Sequence, residues 1–307
     1  MSLSLSPRSR SVIVTRLRAA GCVFAEDEAR LLISAARTPA DLAAMVGRRA
    51  AGLPLEQVLG WAEFCGLRIA VAPGVFVPRR RTEFLVSQAA ALANQSASRA
   101  GQPAMLAHQG AGSAGQVATP ADPGASLAGQ VLARPPTVVL DICCGSGAVG
   151  AALAAALDGA ELYAVDIDPA AVRCARRNVA AAGGQVYEGD LYEPLPATLR
   201  GRVDVLVANT PYVPTEEVGL LPPEARIHEP RVALDGGADG LDVQRRVAAA
   251  APLWLAPGGH LLIETSGRQA PLLVETFARS GLIPRVASSD KLNATVVTGQ
   301  RGEVHLG

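Results

Sequence analysis

Four consecutive residues, Asn209-Thr210-Pro211-Tyr212, put an amide side chain, backbone carbonyls and an aromatic ring into one short turn. Pro211 fixes its own φ and drives Thr210 toward an extended conformation, so the turn is stiff. Such a set suits gripping a planar amino or amide nitrogen: the Asn209 oxygen and the Thr210 carbonyl accept from an NH2 group, and the Tyr212 ring covers its plane. An amide nitrogen is a poor nucleophile, so orientation and hydrogen-bond polarisation must supply much of any acceleration. The turn follows an apolar run, Val203 to Ala208, that reads as a buried strand. Open α/β sheets bind ligands at the carboxyl edge of such strands.

A second group of residues has the spacing of a nucleoside site. The strand Thr137 to Asp141 runs into Ile142-Cys143-Cys144-Gly145-Ser146-Gly147, and a helix starts at Ala148. Small residues there let a ligand approach the backbone and the helix N-terminus. The next strand, Glu161 to Val165, ends in Asp166 beside Ile167, where an acid can accept from both ribose hydroxyls. A helix over Pro169 to Ala182 and a strand over Gln185 to Glu188 lead to Gly189-Asp190-Leu191, placed to border an adenine ring. This layout could serve NAD, yet Gly150 does not complete the dinucleotide spacing and no pyrophosphate partner is evident. The further acids Asp141 and Asp190 favour a ligand with an ammonium group and one nucleoside, which describes S-adenosylmethionine. Methyl transfer is therefore the leading reading and hydride transfer the lesser one.

The elements that must carry these groups follow from periodicity. Residues from about Val12 to Arg49 are helical, with acids Glu26 to Glu28 opening one helix and Thr38-Pro39 capping another. Trp61 to Val71 alternates about a glycine, as a β-hairpin does. Pro73 and Gly74 mark turns before Pro78-Arg79-Arg80-Arg81-Thr82-Glu83, which opens a helix. The arginines either face solvent or line the entrance to a site. Residues 94–134 are Ala, Gly, Gln, Ser and Pro with too few apolar residues to bury, and are expected to be a disordered insertion. The expected organisation is a helical domain over 1–60, a hairpin and connecting helix over 61–93, the insertion, and an α/β catalytic domain over 135–307.

Composition narrows the class. With 307 residues a sizeable core is possible, and no apolar run is long enough to span a membrane. The start, Met1 to Arg10, lacks the apolar segment of a secretory signal. Lys+Arg and Asp+Glu are equal at 28 each, so net charge gives no reason to expect nucleic acid, and Lys291 is the single lysine. Five scattered cysteines without a CxxC pair fit free thiols in a reducing cytoplasm and no metal site. With no exposed apolar stripe evident, a monomer is expected.

The chain resembles the protein N5-glutamine methyltransferases that modify peptide-chain release factors, and more closely a related branch of them. The resemblance rests on Leu53 to Gly60, Phe64 to Glu83, the Asp141 to Gly147 loop and Asn209 to Tyr212. It extends over Leu221-Pro222-Pro223-Glu224, His228-Glu229-Pro230, the Ala233 to Leu241 run and Pro257-Gly258-Gly259. It implies a Rossmann-like class I S-adenosylmethionine-dependent methyltransferase domain with a mostly parallel seven-stranded sheet. It also implies a glutamine acceptor, in a release factor or another translation protein. By resemblance Asp141, Cys143 to Gly147, Asp166, Ile167, Asp190, Leu191 and Asn209 hold the cofactor. Asn209 to Tyr212 with Arg79, Thr82 and Glu83 meet the substrate. Four departures stand out: Thr210 where the family has Pro, Cys143 where its loop has Gly, Arg80-Arg81 where it has Pro and an acid, and the stretch Ser288 to Thr295 where it has its usual Asp-containing ending. His228, Asp235, Asp239 and Glu264 are expected to be structural. Two rival classes are a methyltransferase of exocyclic amines in nucleic acid and a non-catalytic binder that keeps the fold. The first would need a basic track, for which only Arg79 to Arg81 speak.

Overall fold

The computed structural model describes residues 6–100 and 136–302. The chain opens with four helices, α1 (Pro7–Ala19), α2 (Ala25–Ala35), α3 (Pro39–Ala50) and α4 (Leu55–Leu59). Their starts follow the sequence signals. Thr38 accepts from the Asp41 N–H with Pro39 in the first turn of α3, and Glu26, Asp27 and Glu28 sit in the first turn of α2. The helices close around Leu17, Ala29, Leu32, Leu42, Met45 and Val58. A hairpin of β1 (Trp61–Phe64) and β2 (Leu67–Ala70) follows, turned at Cys65 and Gly66, both with positive φ.

Helix α5 (Glu83–Ala100) enters through a 3-10 turn over Arg80–Thr82. It continues to Ala100, so residues 94–100 of the stretch expected to be irregular are helical. Alanine-rich sequence without Gly or Pro favours helix even where few residues can be buried. Residues 101–135 of the expected insertion lie outside the described residues.

The larger sheet has seven strands among the described residues. It alternates β3 (Val138–Ile142), α6 (Ala148–Ala156), β4 (Glu161–Asp166), α7 (Pro169–Val179), β5 (Gln185–Glu188) and β6 (Val203–Ala208). After the short α8 (Pro223–His228) come α9 (Asp242–Trp254), β7 (Leu255–Thr265), α10 (Ala270–Arg279), β8 (Leu282–Ser289) and β9 (Ala294–Arg301). The spatial order is β5-β4-β3-β6-β7-β9-β8, with every strand running the same way except β9, which is antiparallel to both β7 and the edge strand β8. This is the Rossmann-like class I methyltransferase fold. Strand β3 is buried along its whole length, as a central parallel strand with helices on both faces should be. One face packs Leu140, Leu206, Leu261 and Phe277, and the other Val139, Val205, Leu262 and Val296.

The order reverses between β3 and β6, whose register pairs Asp141 with Val207 and Ile142 with Ala208. A crevice opens outside strand ends at such a reversal. The Gly-rich loop after β3 and the turn after β6 are thereby brought side by side. Asn178 of α7 ties the hairpin to this edge. Its amide exchanges hydrogen bonds with the Ala70 backbone at 2.8 and 2.9 Å and donates to the Ser146 carbonyl at 2.8 Å.

Candidate active site

A cavity of about 880 Å³ occupies the crevice. It is lined by the loop Cys143 to Ser146 with Asp141 beneath it, by Asp166 at the end of β4 and Ile167 beyond it, by Asp190 and Leu191 after β5, and by Asn209 to Tyr212 after β6. Arg79, Arg81 and Thr82 close the opposite wall. Two residues expected in the site are elsewhere. Glu83 accepts from the Cys65 N–H at 3.2 Å and holds the hairpin turn. Gly147 has φ +75° and faces α7, where an added Cβ would meet Ala175 at 3.0 Å. Its smallness serves helix packing, not ligand approach.

The acids differ in what they already hold. Asp166 accepts from the Gly145 N–H at 2.7 Å on one oxygen and the Asp168 N–H at 2.9 Å on the other. It thus shapes the loop while retaining lone pairs for two hydroxyls. Asp141 is 1% exposed and accepts from the Gly150 N–H at 2.8 Å. Burial pushes its carboxyl up to about 7, against the lowering effect of that bond. Asp190, expected to read an adenine amino group, is engaged by Arg246 of α9 at 2.6 Å. Arg246 lines the cavity too and carried no signal in the sequence, because its partner is distant in the chain.

Cys143 adopts φ +57°, a left-handed conformation that favours glycine. Burial, with the charges of Asp166, Asp141 and Asp190, pushes its thiol well above the ordinary range.

The Asn209 turn is held from two sides. The Asn209 amide Nδ2 donates to the Thr82 Oγ1 at 3.4 Å, and Arg81 lies over the Tyr212 ring at 5.4 Å. Arg81 donates to Glu264 at 3.0 Å. From behind, Gln269 donates to the Tyr212 carbonyl at 2.9 Å and to the Asp239 carbonyl at 3.0 Å. The glycine run packs against the same backbone: a Cβ on Gly236 would meet the Pro211 carbonyl at 2.8 Å. Asp235 and Asp239 form turns as expected, accepting from the Gly237 and Leu241 N–H groups. Thr210 is 2% exposed and its hydroxyl has no partner among the described residues. The side chain at this position is buried against the turn, and the backbone carbonyl is unaffected by the exchange of Pro for Thr.

The third wall comes from a loop the sequence marked only as folded. Glu229 accepts from the Val77 N–H at 3.3 Å and from Arg79 at 2.5 Å. Its own carboxyl is raised by burial and lowered by Arg79. Phe76, under the Arg79 guanidinium, and Val232 complete this wall.

Comparison with known proteins agrees with this architecture. The family described as "Methyltransferase small domain" matches residues 105–237. A "Release factor glutamine methyltransferase" of Geobacter sulfurreducens is 36% identical over 86% of this chain and 79% of its own. One from Gloeobacter violaceus is 34% identical over 84% of this chain and 78% of its own. The chain belongs to the release factor glutamine methyltransferase family. A relative named for another acceptor is similar as well. A "4-amino-L-phenylalanine/4-methylamino-L-phenylalanine methyltransferase" of Streptomyces pristinaespiralis is 31% identical over 83% of this chain and 76% of its own. The glutamine and the 4-amino-L-phenylalanine in these names each carry an NH2 group on a planar carbon.

Proposed function

We propose that the protein transfers a methyl group from S-adenosylmethionine to the side-chain amide nitrogen of a protein glutamine, the acceptor being the Gly-Gly-Gln loop of a peptide-chain release factor. One observation carries the reading: Asn209 and the Thr210 carbonyl share a single cavity with the Gly-rich loop and Asp166. The cavity fits a nucleoside carrying an amino-acid arm. At Gly145, with φ +55°, nothing lies within 4 Å of where a Cβ would stand, so a ligand can approach the backbone there. Carboxylates ring the same end of the cavity and suit a cation.

In this reading Cys143 to Ser146 hold the methionine part, Asp166 takes the ribose hydroxyls, and Ile167 with Leu191 flanks the adenine. The cofactor supplies an electrophilic methyl group. Asn209 Oδ1 and the Thr210 carbonyl each accept one N–H of the acceptor amide and turn the nitrogen lone pair toward that methyl. Tyr212 covers the amide plane and Pro211 keeps the turn stiff. Acceleration then comes from orientation and from polarising the N–H bonds.

The test incubates the protein with labelled S-adenosylmethionine and, in turn, a release factor, 4-amino-L-phenylalanine and nucleic acid. Label on the glutamine of the Gly-Gly-Gln loop is expected; label confined to the aryl amine or to nucleic acid would sink the proposal. Asn209→Ala is expected to keep cofactor affinity by calorimetry and to lower turnover by about a hundredfold.

A further inference from the structure

The turn after β5 is held by α9 more than by its own sheet. β5 is an edge strand and pairs with β4 alone among the described strands. Just past it Leu191 adopts φ +50°, a left-handed conformation that a branched side chain keeps only when its surroundings impose it. Helix α9 supplies those surroundings. The Tyr192 hydroxyl donates to the Val247 carbonyl at 2.9 Å, and the Tyr192 ring stacks on Trp254 with centroids 5.5 Å apart. One residue earlier on the helix, Arg246 donates to Asp190 Oδ2 at 2.6 Å. The tyrosine contacts are buried, whereas Asp190 and Arg246 both line the cavity.

The arginine contact does a different job from the tyrosine ones. Arg246 is 54% exposed and Asp190 32%, and a pair so open to solvent adds little to stability. What it fixes is direction: Oδ2 is taken, and no other described side chain engages Oδ1. A carboxylate accepts and does not donate, whereas the 6-amino group of adenine donates. We propose that Arg246 is a positioning residue for the cofactor: by holding Oδ2 of Asp190 it turns Oδ1 to the adenine 6-amino group, so that α9 sets the base preference of a site whose turn belongs to β5. This inference rests on the S-adenosylmethionine reading of the cavity given above. Released from Arg246, the Asp190 carboxylate is free to rotate toward water. Hypoxanthine carries an oxygen at position 6, which repels the same carboxylate, and a site built to accept a base N–H rejects the analogue that lacks it.

Calorimetry of the full chain with S-adenosylhomocysteine and S-inosylhomocysteine, which differ only around position 6 of the base, tests the assignment. The wild-type protein is expected to bind the adenosyl compound about tenfold tighter or better. Arg246→Met keeps the stem of the side chain and removes the guanidinium. It is expected to weaken the adenosyl compound about tenfold and to leave the inosyl compound unchanged, so that the preference disappears. Asp190→Asn, whose amide can donate to a 6-oxygen, is expected to abolish the preference as well, and Arg246→Met to add no further change in that background. A merely structural role acts on both compounds alike. Equal weakening of the two by Arg246→Met, a preference that survives it, or a wild-type protein without preference overturns the proposal. Should Arg246→Met fail to melt cooperatively, Arg246→Gln takes its place at the same exposed position. If the wild-type protein labels no glutamine while its base preference follows Arg246, the function proposed above fails and this inference stands.

Discussion

Cys143 shows how a single residue departs from its family without disturbing the loop. Its φ of +57° costs a side chain about 1 kcal/mol relative to glycine. Cys143→Gly is therefore expected to raise stability by about 1 kcal/mol in urea unfolding while leaving cofactor affinity intact. A gain absent or reversed would mean that the buried thiol contributes packing of comparable size. Asp141 makes a second prediction. Its folded carboxyl titrates at about 7 against an ordinary 3.8, so over that interval the folded state holds a proton that the unfolded chain has released. Stability must then fall as pH rises through the interval and level off above it. Asp141→Asn, which can still accept from Gly150, is expected to remove up to about 1.4 kcal/mol per pH unit from that slope. Thermal melts between pH 4 and 8 measure it. At this scale the sequence was legible where chemistry is local. Asn209, Pro211 and Tyr212 are neighbours, and Asp166 ends its own strand. Asp190–Arg246 and Arg79–Glu229 were not legible, because each pair joins residues from distant parts of the chain.

Among the elements, strand β6 was found with its observed limits, since five apolar residues in six, followed by a proline turn, leave little choice. The helix α5 overran its expected end because alanine carries helical propensity but no amphipathic pattern. The Ala233 to Leu241 run was recognisable as a signature, yet its purpose needed coordinates. Gly240 lies against the Tyr212 carbonyl and the Gln269 amide, leaving no room for a Cβ. The run is a buttress for the turn it never joins in sequence. Gly240→Ala is expected to displace Tyr212 and lower kcat by about tenfold or more while the Gly-rich loop still binds cofactor. Parallel calorimetry and turnover assays separate the two effects; equal losses in both would remove the buttress from the account.

Across the whole molecule, the helical module and the substrate wall share one buried cation. Arg49 of α3, 11% exposed, pairs with Glu28 at 2.6 Å within the module and with Glu224 of α8 at 3.1 Å beyond it. Gln57 adds a bond to the His228 carbonyl at 3.4 Å, at the other end of α8. Removing one partner of a buried pair leaves an uncompensated charge, so Arg49→Met is expected to destabilise the protein by about 3 kcal/mol. Because α8 and the loop after it line the cavity, KM for the protein acceptor should rise in the same variant at temperatures where it remains folded. An unchanged melting temperature would refute the first expectation and an unchanged KM the second.

One feature of the cofactor loop also bears on the lifetime of the catalyst. An enzyme that stores an electrophilic methyl group beside a cysteine risks alkylating itself, since the thiolate is the reactive form of that side chain. Burial holds the Cys143 proton in place, and the charges of Asp166, Asp141 and Asp190 add to its hold. The burial and charge that shape the donor's site thus also quiet the nearest competing nucleophile. Self-inactivation is opposed by the walls of the site, with no separate shield.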